Sequence, residues 1–573
     1  MSHAPTGSHT GLEPVLSSLG VGRSGRATLV QLGLVSASAG ALIQALTITS
    51  ACAATEWGVG ADRAGRLKVA MIGGEVFGAF LWCSAGDAVG RREACCLSCV
   101  LGAGGIVICA FAASFDVLVA ATATVGCAVA GATLAPVVLA VERAPARFRG
   151  RYAASLALFG TGGAALAALA HAVIAAGVAA ARAALGDDAS VVGAQWRGAC
   201  AVVALLPFGA AVSCGKRLDE SPRWLLSQRR YAQCRRDLER AAARNFGKEA
   251  ARPTTRVLDA ALAAAESAPR PTRSFSAAAL RTLKMACGVG SLCACGLNFL
   301  LAFGFFSVLS LVRLEFDVEG RADASAFFAL HRRRLGDDFE VEPCASLDYA
   351  IVACALASEV GGALLARHLV DALGRRLTLA ACFATAAGGV LCLAAPEYVG
   401  SIDPFSRSSL VFAMMTARGA LYGATAVAPI LVAEMHATDA RFAAAALAYA
   451  AARLGALVSA FWVVSPNPLS TVSLLVTLVN VSAAWAALAM PVETARSALD
   501  APDPPAGAAP PPKTVDAAAA VDDRPAAAPR RPPPPRPAIP APEGAADSAA
   551  ARAPTVLDAS ASAVDGEKLP LLT

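Results

Sequence analysis

Four ionisable residues interrupt the long apolar runs of this sequence: Glu75, Glu359, Arg418 and Arg453. A charge inside a bilayer is costly, so such residues are kept to pair, to hold a solute or to carry a proton. An acid there offers a proton site. An arginine offers a two-pronged grip on a carboxylate, from a solute or from a neighbouring helix. Glu359 and Arg418 fit an internal ion pair and a solute contact equally well. Glu75 fits a polar neighbour or a coupling role. Asn298 and Gln44 are uncharged candidates for the same cavity, with an interhelical hydrogen bond as the alternative. His171 reads as a packed side chain. No P-loop, metal-ligand cluster or nucleophile motif is present, which argues against an enzyme and against a bound cofactor or metal.

A second set of charges lies at the ends of those runs and occurs twice. Asp87-Ala-Val-Gly90-Arg91-Arg92 returns 284 positions on (87 to 371) as Asp371-Ala-Leu-Gly374-Arg375-Arg376. Glu142, followed by Arg149, returns 292 positions on (142 to 434) as Glu434, followed by Arg441. Glu220-Ser221 returns 273 positions on (220 to 493) as Glu493-Thr494. Three ordered matches describe a duplicated six-helix unit. Parallel repeats of this kind place a solute site between the halves at mid-depth. The charges themselves have the makings of a latch. The glycine permits a tight turn between two spans. The aspartate pairs with an arginine or caps a helix start. Making and breaking such pairs would fix one access state; a turn carrying orientation charges is the plainer alternative. Ser221-Pro222 marks a helix start. From Arg223 onward, Trp224, Leu225, Tyr231 and Leu238 are interleaved with arginines, which predicts a short amphipathic helix on the membrane surface.

The elements that must position these groups are membrane spans. The chain has 573 residues, 56% hydrophobic and 16% charged, where soluble domains carry about 25% charged residues. The apolar residues gather in runs about 20 long, enough to cross a hydrocarbon core. Twelve spans are predicted, near 27–53, 67–86, 94–114, 117–141, 152–178, 197–215, 285–312, 349–368, 377–396, 407–433, 442–464 and 469–490. They divide the chain into a flexible N-terminal tail (1–26), a six-helix bundle (27–216), an arginine-dense linker (217–284), a second bundle (285–494) and a Pro- and Ala-rich tail (495–573) with too little apolar variety to fold. The first ~25 residues lack a signal-peptide core, so the first run serves as a span. Arginines cluster in the even-numbered links, which the positive-inside rule places in the cytoplasm together with both termini. Arg332, Arg333 and Arg334, in the loop at 313–348, run against that trend. The 17 cysteines sit mostly in apolar runs and read as small buried hydrophobes. The net charge of +6 lies between spans and gives no reason to expect nucleic-acid binding.

These residues resemble the major facilitator superfamily. Asp87 to Arg92 resembles its loop between helices two and three, and Asp219-Glu220-Ser221-Pro222-Arg223-Trp224 its sugar-porter signature after helix six. Gly78-Ala-Phe-Leu-Trp82, Ser358-Glu359-Val-Gly361, Ala417-Arg418-Gly419 and Ala452-Arg453-Leu-Gly455-Ala456 are most similar to its synaptic-vesicle-glycoprotein-related and organic-cation branch. The resemblance spans roughly residues 27–495. It implies an all-α membrane fold with twelve transmembrane helices in two pseudo-symmetric bundles, and alternating access around a central cavity. It implies a transporter of a small organic solute, an organic ion or sugar-like, in contact with membrane lipid, and leaves a coupling proton open. The sequence also departs from the pattern. Span one, around Gly40-Ala-Leu-Ile-Gln44, has no acid, and Ala121-Thr-Ala-Thr124 stands where an arginine is usual. Cys83 replaces the leading glycine of the signature loop, Ala302-Phe303 a tyrosine pair, and Ala437 a proline. These losses motivate a second reading, a vesicle-membrane or trafficking protein that keeps the fold without transport. Glu567-Lys-Leu-Pro-Leu571-Leu572 resembles a dileucine signal for a sorting adaptor, which adds endolysosomal, vacuolar or vesicle membranes to the plasma membrane as destinations.

Overall fold

Backbone groups in hydrocarbon must satisfy one another, and this chain does so with helices throughout the described residues. The computed structural model describes residues 12–185, 190–247, 252–267, 288–316, 349–399, 407–463, 469–497 and Leu499. A short helix, α1 (Leu12–Leu19), precedes α2 (Gly22–Glu56), α3 (Ala61–Ala88), α4 (Arg91–Ala110), α5 (Phe115–Arg143), α6 (Arg149–Leu185), α7 (Ser190–Val203) and α8 (Leu205–Arg217). The linker folds as α9 (Pro222–Ser227), α10 (Tyr231–Phe246) and α11 (Arg252–Ser267). The second half is α12 (Val289–Phe316), α13 (Tyr349–Ala372), α14 (Arg375–Val399), α15 (Arg407–Met435), α16 (Arg441–Val463) and α17 (Leu469–Ala489).

Among the described residues, 11 stretches are long and apolar enough to cross a membrane. One of them joins α7 and α8, which break at Ala204 because Pro207 cannot donate to the preceding turn. The predicted ninth span falls in α14, a helix of 25 residues outside that set.

The two halves repeat one packing scheme. α2 packs on α6 and α3 on α5; α12 packs on α16 and α13 on α15. The halves meet along two seams, α3 with α16 and α6 with α13. Small residues allow the closest approaches. A Cβ on Gly163 would overlap the Ala37 carbonyl of α2, and one on Gly362 of α13 would overlap the Gly419 carbonyl of α15.

Two expectations change at the arginine-rich end. The tail expected over 1–26 contains α1 and the start of α2. Leu12, Val15, Leu16 and Leu19 of α1 are buried against Trp224, Leu225, Leu238 and Leu262 of the linker. The amphipathic stretch expected on the membrane surface buries its apolar stripe in this same cluster. Burial against protein removes apolar area from water as burial in lipid would, so the periodicity does not name the partner. The helix start at Ser221 is as expected, with its side chain accepting from the Trp224 N–H and Pro222 as first residue. Residues 317–348, and the C-terminal Glu567, Leu571 and Leu572, lie outside the described residues.

Candidate functional site

The duplicated charges converge at one end of the helices. In the first half Arg91 pairs with Asp87 at 3.1 Å and with Glu142 at 3.3 Å. In the second half Arg375 pairs with Asp371 at 3.1 Å and with Glu434 at 2.7 Å. The halves then exchange partners. Arg441 of the second half reaches Glu142 at 3.0 Å, and Arg149 of the first half approaches Glu434 at 3.9 Å. Arg91 also donates to the Thr438 carbonyl at 3.0 Å, and the Arg151 N–H donates to Asp371 at 2.8 Å, both across the divide. Arg91, Arg149, Arg375 and Arg441 have no exposed surface, so this end is shut.

The turns that place these charges rest on two glycines with positive φ, Gly90 at 121° and Gly374 at 88°. Asp87 and Asp371 pair with arginines, Asp371 also caps the start of α6 through the Arg151 N–H, and two glutamates cap further helix starts. The Glu220 carboxylate accepts from the N–H groups of Arg91, Arg92 and Ser221, and so caps α4. Glu493 accepts from the N–H groups of Arg375 and Arg376, and so caps α14. The Arg92 side chain pairs with Glu93 at 2.9 Å at the rim of the network.

One acid here carries no motif. Glu13 of α1 accepts from Ala146 N–H at 2.7 Å, from Arg149 at 3.1 Å and from Arg223 at 2.6 Å. Arg223 also donates to the Glu142 carbonyl. Glu13 thus gives Arg149 a nearer acid than Glu434 does. The signal that could have found it is the apolar spacing of Leu12, Val15, Leu16 and Leu19 around it.

Glu220 lies between the spans and α9. Burial raises its carboxyl from 4.5 to about 7, against the pull of the Ser221 and Arg92 N–H donors. A folded pKa above the unfolded one means that the stabilisation is fully present below about pH 4.5 and is lost as pH rises through about 7. The midpoint of thermal unfolding in detergent is therefore expected to fall from pH 5 to 8 in the wild type and to vary less in Glu220→Gln. Parallel curves for the two proteins would reject the assignment.

The charges inside the spans form two pairs. Glu359 of α13 meets Arg418 of α15 within the second half, and that guanidinium lies 5.9 Å from the Phe305 ring. Glu75 of α3 meets Arg453 of α16 at 2.8 Å and accepts from the Tyr449 hydroxyl at 3.2 Å. The second pair crosses a seam; the first does not. Glu75 lies 284 positions before Glu359 (75 to 359), the offset of the signature loops. The two glutamates are repeat mates, marked in the sequence by that spacing alone.

The uncharged candidates differ. Asn298 donates to its own helix at the Ala294 carbonyl. Gln44 is half-buried on α2. Two tyrosines not singled out from sequence bridge the halves. The Tyr449 hydroxyl reaches Glu75, and the Tyr422 hydroxyl donates to the Ala157 carbonyl of α6 at 3.1 Å. His171 of α6 also bridges, sharing a 2.8 Å hydrogen bond with the Tyr349 hydroxyl of α13.

This arrangement of helices in two bundles matches solved structures. The proton:xylose symporter XylE bound to 6-bromo-6-deoxy-D-glucose aligns at a TM-score of 0.62 and 17% identity, over 83% of this chain and 98% of that chain. This chain has the major facilitator fold. A double-tryptophan XylE variant aligns at 0.59 and 18% identity, over 83% and 97% of the two chains. Inward-open XylE from E. coli aligns at 0.52 and 17% identity, over 83% and 98%. The family model described as sugar (and other) transporter matches residues 61–304. No curated protein matches by sequence.

Proposed function

We propose that the chain is a secondary transporter of a sugar-like organic solute, working by alternating access between its two bundles. The observation that carries this reading is the buried exchange of partners, Glu142 with Arg441 and Arg149 with Glu434. Such pairs hold one end closed and part only when the bundles move as bodies, which makes the closed and open forms discrete states. The sugar-transporter family match and the likeness to XylE support the solute class. Residues 27–216 and 285–494 are the moving bodies, joined by the linker 217–284. The solute passes between them, near Glu75, Arg453 and Tyr449 on one seam and Glu359, Arg418 and Tyr422 by the other. The positive-inside rule puts the arginine-rich end in the cytoplasm, so the form described here is closed to that side.

Reconstitution of the full chain in liposomes tests this. Labelled xylose, labelled glucose, an organic cation and an organic anion are offered separately. Uptake of a sugar above that of empty liposomes is expected, stimulated by the same sugar inside and lost in Arg453→Ala. Uptake no higher than that of empty liposomes across the panel would reject the reading.

A further inference from the structure

We infer that Glu75 is the proton-binding carboxylate of this chain, and that protonating it frees Arg453 and unlocks the α3–α16 seam, while Glu359 stays a fixed structural anion. This rests on the transport reading above for its purpose, and on the geometry alone for its chemistry.

Glu75 and Glu359 are repeat mates, yet their counter-ions come from different places. Glu359 takes Arg418 from its own half. The position equivalent to Arg418 in the first half, 292 residues earlier (126 to 418), is Gly126. Gly126 has no room for a side chain, because a Cβ there would overlap the Met71 carbonyl and crowd the Glu75 N–H. Glu75 therefore lacks the counterpart of Arg418 and, among the described residues, pairs with Arg453 of the other half. The position equivalent to Arg453, again 292 residues earlier (161 to 453), is the uncharged Thr161. The duplication has drifted so that one acid is neutralised inside a rigid body and the other between two bodies.

That difference decides which acid senses movement. When the bundles separate, Glu359 and Arg418 travel together and their pairing is unchanged. Glu75 and Arg453 are pulled apart. A proton taken from water onto the Glu75 carboxylate removes the charge that holds Arg453, whose side chain is 18% exposed against 3% for Glu75. Arg453 is then a lone guanidinium stacked over Tyr449 at 4.5 Å and near Phe306 at 5.7 Å, and it gains by reaching water. The groups that face Glu75 from α16 are Arg453 and Tyr449; α5, on its other side, meets it with the Gly126 backbone.

The full chain in lipid nanodiscs, without solute, is examined from about pH 5.5 to 7.5. Infrared spectra follow the protonated-carboxyl band, and amide hydrogen exchange, corrected for intrinsic rates, follows α3 and α16. In the wild type the band grows with acid and exchange along the seam speeds by about tenfold, the change that one unit of pH can drive through one proton. Glu75→Gln loses both responses, and Glu359→Gln keeps both. The double variant Glu75→Gln with Arg453→Gln, which leaves no unpaired charge, also loses both while its seam stays closed. Persistence of both responses in Glu75→Gln, or their loss in Glu359→Gln, overturns the inference. Sugar uptake that is insensitive to pH would overturn it while leaving the transport reading intact.

Discussion

Arg441→Ala opens the arginine-rich end and lowers thermal stability. Arg441 is fully buried, and Glu142 is its acid partner at 3.0 Å. Its other hydrogen bonds go to the Ala433 and His436 carbonyls and the Thr438 hydroxyl, within its own half. Removing one member of a buried pair costs about 3 kcal/mol or more, because the remaining charge is stranded. Arg91 still contacts Glu142 and softens that cost. About 3 kcal/mol corresponds to roughly a hundredfold change in the ratio of closed to open forms. Amide exchange at the starts of α6 and α16 measures that ratio directly. The mirror variant, Arg149→Ala, shifts it less, since Arg149 is 3.9 Å from Glu434 and closer to Glu13 within its own half. Wild-type exchange rates in Arg441→Ala would remove the latch from the mechanism.

Gly362→Leu should be the most damaging single substitution inside the spans. A Cβ at Gly362 would overlap the Gly419 carbonyl, a backbone atom that cannot swing aside. α13 and α15 must then separate, and the Glu359–Arg418 pair that joins them separates with them. Overpacking of this kind costs about 1–3 kcal/mol before the broken ion pair is counted. The neighbouring Gly361 supplies the control. A Cβ there meets no atom within 4 Å, and the residue is exposed. Gly361→Leu is expected to leave the unfolding midpoint in detergent within a degree or two of wild type, and Gly362→Leu to lower it sharply or abolish a single folded species. Equal midpoints would show that the two helices are not held by this contact.

Much of the fold was legible because lipid imposes a long, one-signed pattern. Each predicted span lies within, or a few residues from, a helix of the structure. The latch was legible as well, because Asp87 to Arg92 and Glu142 to Arg149 recur at near-constant spacing. What could not be read was which arginine meets which glutamate. Glu142 precedes Arg149 by one loop, yet its partner across the divide is Arg441, 299 residues away. Local spacing records the repeat, and the exchange exists only once two copies face each other. Glu13 was missed for a different reason. It stands alone in a short polar-flanked stretch, and its role comes from Arg149 and Arg223, which approach it from distant parts of the chain. Glu75 lay at the right offset from Glu359, and that spacing is the signal by which the sequence marks the two as repeat mates.

Seven of the paired arginines share one further property: each has an acid partner that precedes it in the chain. Asp87 precedes Arg91, Glu13 precedes Arg149 and Arg223, and Asp371 precedes Arg375. Glu142 precedes Arg441, Glu359 precedes Arg418, and Glu75 precedes Arg453. A ribosome making this chain from its N-terminus therefore never releases one of these arginines before an acid that will neutralise it. Glu13 is what extends this to Arg149, whose other acid, Glu434, is synthesised nearly 300 residues later. In biogenesis the small N-terminal helix supplies the first bundle with a counter-charge while the second is still being translated.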